Sequence, residues 1–508
     1  MEQLDTEICY RALQTRDRRF DGRLFVAVTS TSIYCRPICP ARTPKPDHCR
    51  FFPTAAAAEE AGFRACLRCR PEISPETAGW RGTFNSVSRA LALIAEGFLD
   101  REDGNVDALA TRVGMGARQL RRLFEAHLGA SPIAVAQTRR VLFAKQLIHD
   151  APLSMAEVAM AAGFGSLRRF NDAFRLLYHR PPSELRRRTS RAASYLPHSP
   201  GVGAVALLVP YRVPYDWEAM LDYLRAHAVD GMECVEHNVY RRTVSHERAQ
   251  GQVAVAHAPD RQALIATIQF PSVRALHAIV TRVRHLFDVG ADVKTIGVHL
   301  SKDPTLAPLI AALPGLRTPG CWDGFELAVR AVLGQQISVE AARQLANKLV
   351  LRCGDQVDHA TDPRLVRTFP SAQGVATADL GRIGMPESRR DTLKALAQAA
   401  VANPGLFEPS GSIEESIARL RAIRGIGPWT AQYIALRALR DPDAFPATDI
   451  GIQRGAARVS GMVPTVSQLM ARAESWRPWR AYAAQYLWLA DAHSPNTQRK
   501  SRETRHGK

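Results

Sequence analysis

Two hydrophobic periods divide this chain. Apolar positions recur at helical spacing in two matching stretches: DALATRV, a turn at Gly114 and ARQLRRLFEAHL from Ala117; then Met155 to Ala161, a turn at Gly163 and SLRRFNDAFRLL from Ser166. Each predicts a short helix, a tight turn and a second helix with one apolar face. Phe124 and Phe174, near the ends of the second helices, read as core. From Ala204 the period falls to two. AVALLVPY, QVAVAHA from Gln252 and ALIATIQF from Ala263 predict strands, and helical patterns at residues 217–227 and 273–287 complete an α+β layer. From about Asp303 onward the pattern is helical with short Gly/Pro loops.

Length and charge add boundaries and a partner. At 508 residues the chain exceeds one core, and ~150 residues per domain predicts three or four. Composition places a cysteine-rich segment at 1–78, an arginine-rich helical segment at 82–190, a linker at 191–203, the α+β layer at 204–290, a helical region at 291–494 and a disordered basic tail at 495–508. Sixty-seven Lys and Arg against 49 Asp and Glu give a net charge of +18, which points to nucleic acid. A hydrophobic content of 46% excludes a mostly disordered chain. No apolar run reaches the ~20 residues that span a bilayer, and the first residues are charged, so a soluble intracellular protein without a membrane partner is expected.

Six of nine cysteines fall in the first 69 residues. Intracellular clustering of this kind argues for metal or catalysis rather than disulfides. Cys35 and Cys39, then Cys66 and Cys69, form two pairs joined by 26 residues, a spacing at which four thiolates can surround one Zn²⁺. A segment of under eighty residues needs such a staple. His48 and Cys49 are candidate substitute ligands, made awkward by their adjacency.

The strings FVAVTSTSIYCRPICPAR and AAAEEAGFRACLRC resemble the N-terminal domain of the Ada adaptive-response family over about seventy residues. The resemblance implies that Cys35 is both ligand and nucleophile, removing a methyl group from an Sp methylphosphotriester in DNA. A zinc-held thiolate suits that attack, and nothing restores it, so the domain acts once. Methylation takes the site's formal charge from minus two to minus one, reducing repulsion of phosphate and raising DNA affinity. The family's DNA contacts map onto Thr31, Arg42 and Arg64, but a further basic contact just after the second cysteine is Pro40 here.

The paired helical motifs, with GASPIAVAQTRRVLFAKQLI and YHRPPSELRR, resemble the AraC-type helix-turn-helix domain over about a hundred residues. Arg118, Arg121 and Arg122 in one copy, and Arg168 and Arg169 in the other, remain for phosphates or base edges. Between Leu167 and Arg191, eight Arg oppose only Asp172 and Glu184.

In the C-terminal half, LRAIRGIGPWTAQYIALRAL predicts a helix, a turn at Gly425 and Gly427, and a second helix begun by Pro428. Such a hairpin presents N–H groups to a DNA phosphate, often with a monovalent cation. Asp449 follows 22 residues after Gly427, where a loop can return its carboxylate to the hairpin. Hairpin and aspartate resemble the helix-hairpin-helix base-excision glycosylases, and the AlkA type above all, from about Val205 to Asp491, including YRVPYDWEAMLDYL, FELAVRAVLGQQIS and WRPWRAYAAQYLWLAD. The resemblance makes Asp449 the carboxylate that stabilises an oxocarbenium-like sugar. It assigns the faces holding a flipped base to Trp429, Tyr433 and Trp488, and the residue filling the vacated gap to Gln336, where the family has an apolar wedge. Trp429 stands where bifunctional relatives carry a Schiff-base lysine, so no lyase step is expected. No cysteine follows Cys353 and no Pro-Cys-His motif occurs, so neither an iron–sulfur cluster nor O6-methylguanine transfer is expected.

The fold expected is therefore multidomain: a small zinc-bound α+β domain, an all-α double helix-turn-helix domain, then an α+β domain followed by all-α helix-hairpin-helix glycosylase domains. The function expected is a methylphosphotriester sensor and transcription activator fused to a monofunctional alkylpurine glycosylase. Its partners would be alkylated and promoter double-stranded DNA and RNA polymerase, in the nucleoid-associated cytoplasm of a bacterium. The alternative is a regulator whose glycosylase-like half only binds DNA.

Overall fold

The computed structural model describes residues 5–74, 86–101, 103–186, 204–247, 249–358, 362–408 and 413–492. The linker at 191–203 and the basic tail at 495–508 lie outside the described residues. The chain gathers into two packed units: residues 1–80, 85–211 and 244–284, and residues 81–84, 212–243 and 285–508.

The first unit begins with strands β1 (Phe25–Val28), β2 (Ile33–Cys35), β3 (Cys49–Phe52) and β4 (Arg64–Ala65), in the order β3-β1-β2-β4. β1 runs antiparallel to β2 and β3, and β2 parallel to β4 with Ile33 opposite Arg64. Thr54 caps the helix Ala55–Glu60, whose alanines pack inward, and buried Tyr34 donates to Glu59 at 2.9 Å.

Both helix-turn-helix copies form as the periodicity predicts. Val106–Arg112 and Ala117–Leu128 make the first, with Asn105 as cap and Gly114 at φ +78°. Met155–Ala161 and Leu167–Tyr178 make the second, begun by a Ser154–Glu157 capping box and turned at Gly163 with φ +82°. Phe124 and Phe174 are fully buried, as expected of core. The 19-residue helix Pro132–Asp150 joins the copies and lies against the cysteine-bearing segment. Thr138 donates to Glu59 at 2.7 Å, Lys145 to Glu72 at 2.6 Å and to the Cys66 carbonyl at 2.9 Å, and Arg70 to Asp150 at 3.1 Å. Strands Ala204–Pro210 and Ala249–Ala258 both pair antiparallel with Ala263–Gln269 in this unit.

The second unit contains the helix Trp217–His227 and a hairpin the alternation pattern did not announce. Glu233–Glu236 pairs with residues 239–242 through a turn at His237 and Asn238, both at positive φ. Charges inside the hairpin conceal it: buried Arg242 pairs with Glu326 at 2.8 Å, and Glu233 with Arg330 at 2.7 Å. The helical core surrounds Gly324–Leu333, packed on Glu387–Ala402 and Pro428–Arg437 through Leu393, Leu396, Ala397 and Ile434. Helices Ile450–Ser460 and Arg480–Ala492 pack together at Gly455, where a Cβ would lie 1.9 Å from the Leu487 carbonyl oxygen. This multidomain order, a small sheet, a helical segment, an α+β layer and a helical end, is the one the sequence predicts. Among the described residues no helix is long and apolar enough to cross a membrane.

Candidate active site and metal centre

β2 delivers Cys35, the loop after it Cys39, and the segment following β4 Cys66 and Cys69. Their four sulfurs lie within 4.8 Å of one another. Backbone N–H groups of Ala41, Arg68 and Arg36 donate to Cys39, Cys66 and Cys69 respectively, the last two at 3.3 and 3.4 Å. Such donors suit sulfurs carrying negative charge, so an all-thiolate zinc site fits this donor set. Cys39, Cys66 and Cys69 are buried, whereas Cys35 is half-buried. Cys49 stands outside the group, its thiol donating to the Lys45 carbonyl at 3.3 Å, and His48 is exposed. Thr31 and Arg42 are exposed; Arg64, half-buried on β4, lies beside the strand that carries Cys35. Arg36, by contrast, is buried and paired with Asp21, which holds the ligand loop rather than facing solvent.

Arg118, Arg121, Arg122, Arg168 and Arg169 are all exposed on the two second helices, opposite their buried phenylalanines. Arg168 has a loose i,i+4 contact with Asp172 at 3.8 Å, a pair worth little in water.

At the hairpin, Ile413–Arg421 and Pro428–Arg437 are joined through Gly425 at φ +84°. A Cβ there would sit 1.9 Å from Thr392 Oγ1, so only glycine fits. Gly427 caps the second helix with extended backbone, and a Cβ there would meet nothing within 4 Å, leaving open space over the helix N-terminus. Asp449 is the N-cap of Ile450–Ser460. Its Oδ1 accepts from Ile452 N at 3.0 Å and Trp488 Nε1 at 2.8 Å, and its Oδ2 accepts from Trp429 Nε1 at 2.7 Å. Three of a carboxylate's roughly four acceptor sites are thereby used and one is left. Trp429 and Tyr433 stack at 5.4 Å, and Tyr433 meets Trp488 edge-on at 6.1 Å. The three rings and Asp449 are each half-buried.

Comparison with known proteins follows these sites along the chain. Residues 8–72 match the metal binding domain of Ada, 109–188 a helix-turn-helix domain, 206–323 the AlkA N-terminal domain, and 329–481 the HhH-GPD superfamily of base excision DNA repair proteins. A probable bifunctional transcriptional activator/DNA repair enzyme AlkA of Mycobacterium tuberculosis is 42% identical over 97% of this chain and 98% of its own. The chain belongs to this bifunctional activator and repair family. The DNA-3-methyladenine glycosylase 2 of Escherichia coli is 33% identical over 56% of this chain and 98% of its own length. The 3-methyladenine DNA glycosylase structure from Archaeoglobus fulgidus shares the fold over 57% of this chain and 98% of its own, with a TM-score of 0.51 and 22% identity.

Three residues of this bifunctional-family member escape the sequence pattern. Tyr223, on the helix Trp217–His227, has its hydroxyl hydrogen-bonded to that of Tyr433, and burial pushes its ionisation up. Arg437 is buried beneath the same rings. Gln335 donates from Nε2 to the Gly425 carbonyl and to Thr430 Oγ1, both at 3.0 Å, while its own carbonyl accepts from Arg389 at 2.6 Å. Gln335 thus ties the hairpin to the turn bearing Gln336, which is exposed at φ +57° with Ile337 exposed beside it. The doubled glutamine in Gly334-Gln335-Gln336 was the one signal for this latch.

Proposed function

We propose that this protein senses DNA methylphosphotriesters through Cys35, activates transcription through its helix-turn-helix pair, and excises alkylated purines through Asp449. The observation that carries the repair half is the Asp449 carboxylate, held by the indole N–H groups of Trp429 and Trp488 beside the hairpin. The hairpin N–H groups at Gly425 and Gly427 grip a phosphate, where a monovalent cation, if bound, would add positive charge, while Gln336 enters the gap left by the flipped base. The base is received among Trp429, Tyr433 and Trp488. An alkylated cationic purine leaves as a neutral molecule, so the main barrier lies in the positive sugar, and a fixed carboxylate stabilises that charge. Water closes the anomeric carbon as its proton passes to Asp449. Trp429 offers no amine, which keeps the reaction hydrolytic.

In the sensor half, Cys35, Cys39, Cys66 and Cys69 would hold Zn²⁺, which when bound would keep their sulfurs as thiolates at neutral pH. Cys35 sulfur attacks the methyl carbon, the methyl carbon–oxygen bond breaks, and the phosphodiester leaves as its anion. Its half-buried position among buried ligands supports this assignment. The lost negative charge strengthens DNA binding through Thr31, Arg42 and Arg64. The exposed arginines 118, 121, 122, 168 and 169 then hold the promoter, where RNA polymerase is recruited. Release of 3-methyladenine from alkylated DNA by the full-length protein, abolished in Asp449→Asn, tests the repair reading. Equal release by the variant overturns it.

A further inference from the structure

Arg437 lies on the last turn of the hairpin's second helix and is 2% exposed. Its Nη1 donates to the Pro319 carbonyl at 2.7 Å and its Nη2 to Gln485 Oε1 at 3.0 Å. Its Nε is buried without a hydrogen-bond partner. Both acceptors are neutral, and among the described residues none of its contacts is a carboxylate. Arg242 and Arg330, buried in the same unit, each meet both Glu233 and Glu326. A buried cation without a counter-charge is costly and needs a reason. Its remaining neighbours are rings: the guanidinium carbon lies 4.8 Å from the Tyr223 ring centre, 5.0 Å from that of Trp488 and 5.7 Å from that of Tyr433. His227, stacked on Tyr223 at 4.2 Å, is held neutral by burial, its pKa lowered to about 4, and so adds no charge.

We propose that Arg437 stabilises the departure of neutral damaged bases through the aromatic wall and thereby widens the substrate class beyond cationic alkylpurines. This rests on the reading of Trp429, Tyr433 and Trp488 as the base pocket. When the bond from C1′ to the base nitrogen breaks, both electrons stay on the base. A cationic alkylpurine becomes neutral and needs no help. A neutral purine such as hypoxanthine becomes an anion until solvent protonates it, while water adds to C1′ and gives its proton to Asp449. A fixed positive charge packed against these rings favours that anion, and Asp449 favours the positive sugar, so the two charges act on opposite ends of the breaking bond. The same cation weakens the attraction of the rings for a cationic base, because it already lies 5.0 Å from the Trp488 ring centre and 5.7 Å from that of Tyr433. Arg437 touches no reacting atom; it is a specificity residue acting through Trp488, Tyr433 and Tyr223.

The test uses the full-length protein and two duplexes, one with a single 7-methylguanine and one with a single hypoxanthine. kcat/KM is measured for both in each preparation, so that the ratio is independent of the folded fraction. Arg437→Met is expected to lower hypoxanthine release relative to 7-methylguanine by about tenfold, and Arg437→Lys by less than about threefold. Gln485→Glu, which sets a carboxylate against the guanidinium without opening a cavity, should move the ratio in the same direction as Arg437→Met. Unchanged ratios in Arg437→Met and Gln485→Glu, with the wild type active, overturn the role of Arg437 alone. A wild type that releases neither base overturns the pocket reading with it.

Discussion

Trp488 Nε1 donates to Asp449 Oδ1 at 2.8 Å across a sequence separation of 39 residues. The indole orients the carboxylate, and on the proposed reading it would also be a wall of the base pocket, so that one side chain would position both base and charge. Trp488→Phe keeps a ring and removes the donor. Base release should fall about tenfold in kcat, with KM within about twofold, because the lost bond steers the carboxylate rather than binding DNA. Single-turnover and steady-state assays on one alkylated duplex measure both; a loss confined to KM would show that Trp488 only stacks.

Asp449 is the N-cap of its helix, and that role can be separated from the catalytic one proposed for it. Asparagine caps helices about as well as aspartate, so Asp449→Asn should melt near the wild type while losing at least about a hundredfold in base release. Asp449→Ala should show the same loss of activity and a further stability cost of about 1 kcal/mol. Thermal unfolding alongside base release distinguishes a catalytic aspartate from a structural one.

Gly451 allows Trp488 to reach Asp449. A Cβ there would lie 3.0 Å from Trp488 Cδ1 and 3.1 Å from Asp449 Oδ1. Alanine raises helix propensity at this first-turn position, yet it crowds the indole. Gly451→Ala should therefore lower base release about tenfold with little change in melting temperature. A variant as active as the wild type would show that the indole can shift without cost.

These relationships explain how far the sequence could be read. Gly425, Pro428 and Asp449 were legible because a tight turn, a helix start and a returning carboxylate are local features with few substitutes. The four cysteines were legible for a similar reason: two short spacings admit one metal geometry. Tyr223 and Arg437 were not, because a tyrosine on an amphipathic helix and an arginine in an apolar one look like core and surface until tertiary packing joins them. The hairpin of residues 233–246 was hidden by Glu233 and Arg242, whose mutual burial reverses the expected alternation. Its turn uses His237 and Asn238 at positive φ rather than an Asn-Gly pair.

The contact between zinc segment and long helix predicts a dependence on charge pairing. Lys145 Nζ is fully buried between Glu72, at 2.6 Å, and the Cys66 carbonyl, at 2.9 Å, and Arg70 joins Glu72 to Asp150. Lys145→Met leaves Glu72 with one cation in place of two and the Cys66 carbonyl without this donor, which should cost about 1–3 kcal/mol in this unit. Because the same ammonium holds the backbone of a zinc ligand, the variant should also release zinc to a chelator faster. Zinc release followed with a colorimetric chelator, beside thermal unfolding, would find the rate unchanged if the network were merely adjacent to the metal centre.

Glu59 gives the stability of this unit a pH slope. Burial raises its pKa from an ordinary 4.5 to about 7, against the opposing hydrogen bonds from Thr138 and Tyr34. The folded state therefore holds a proton that the unfolded chain has released between pH 4.5 and about 7. Across that window the unfolded state binds fewer protons, so stability falls as pH rises, and above about pH 7 the slope from this group vanishes. The residue is half-buried by area, which reduces the full linkage value to about 2 kcal/mol. Glu59→Gln keeps an acceptor for one of the two hydroxyls and offers the other an N–H donor, but cannot ionise, so it should remove this component of the slope and be the more stable form at pH 8. Denaturant unfolding of both proteins at pH 5 and pH 8 decides the matter: a difference between them that is the same at both pH values would mean that Glu59 is ionised in the fold throughout.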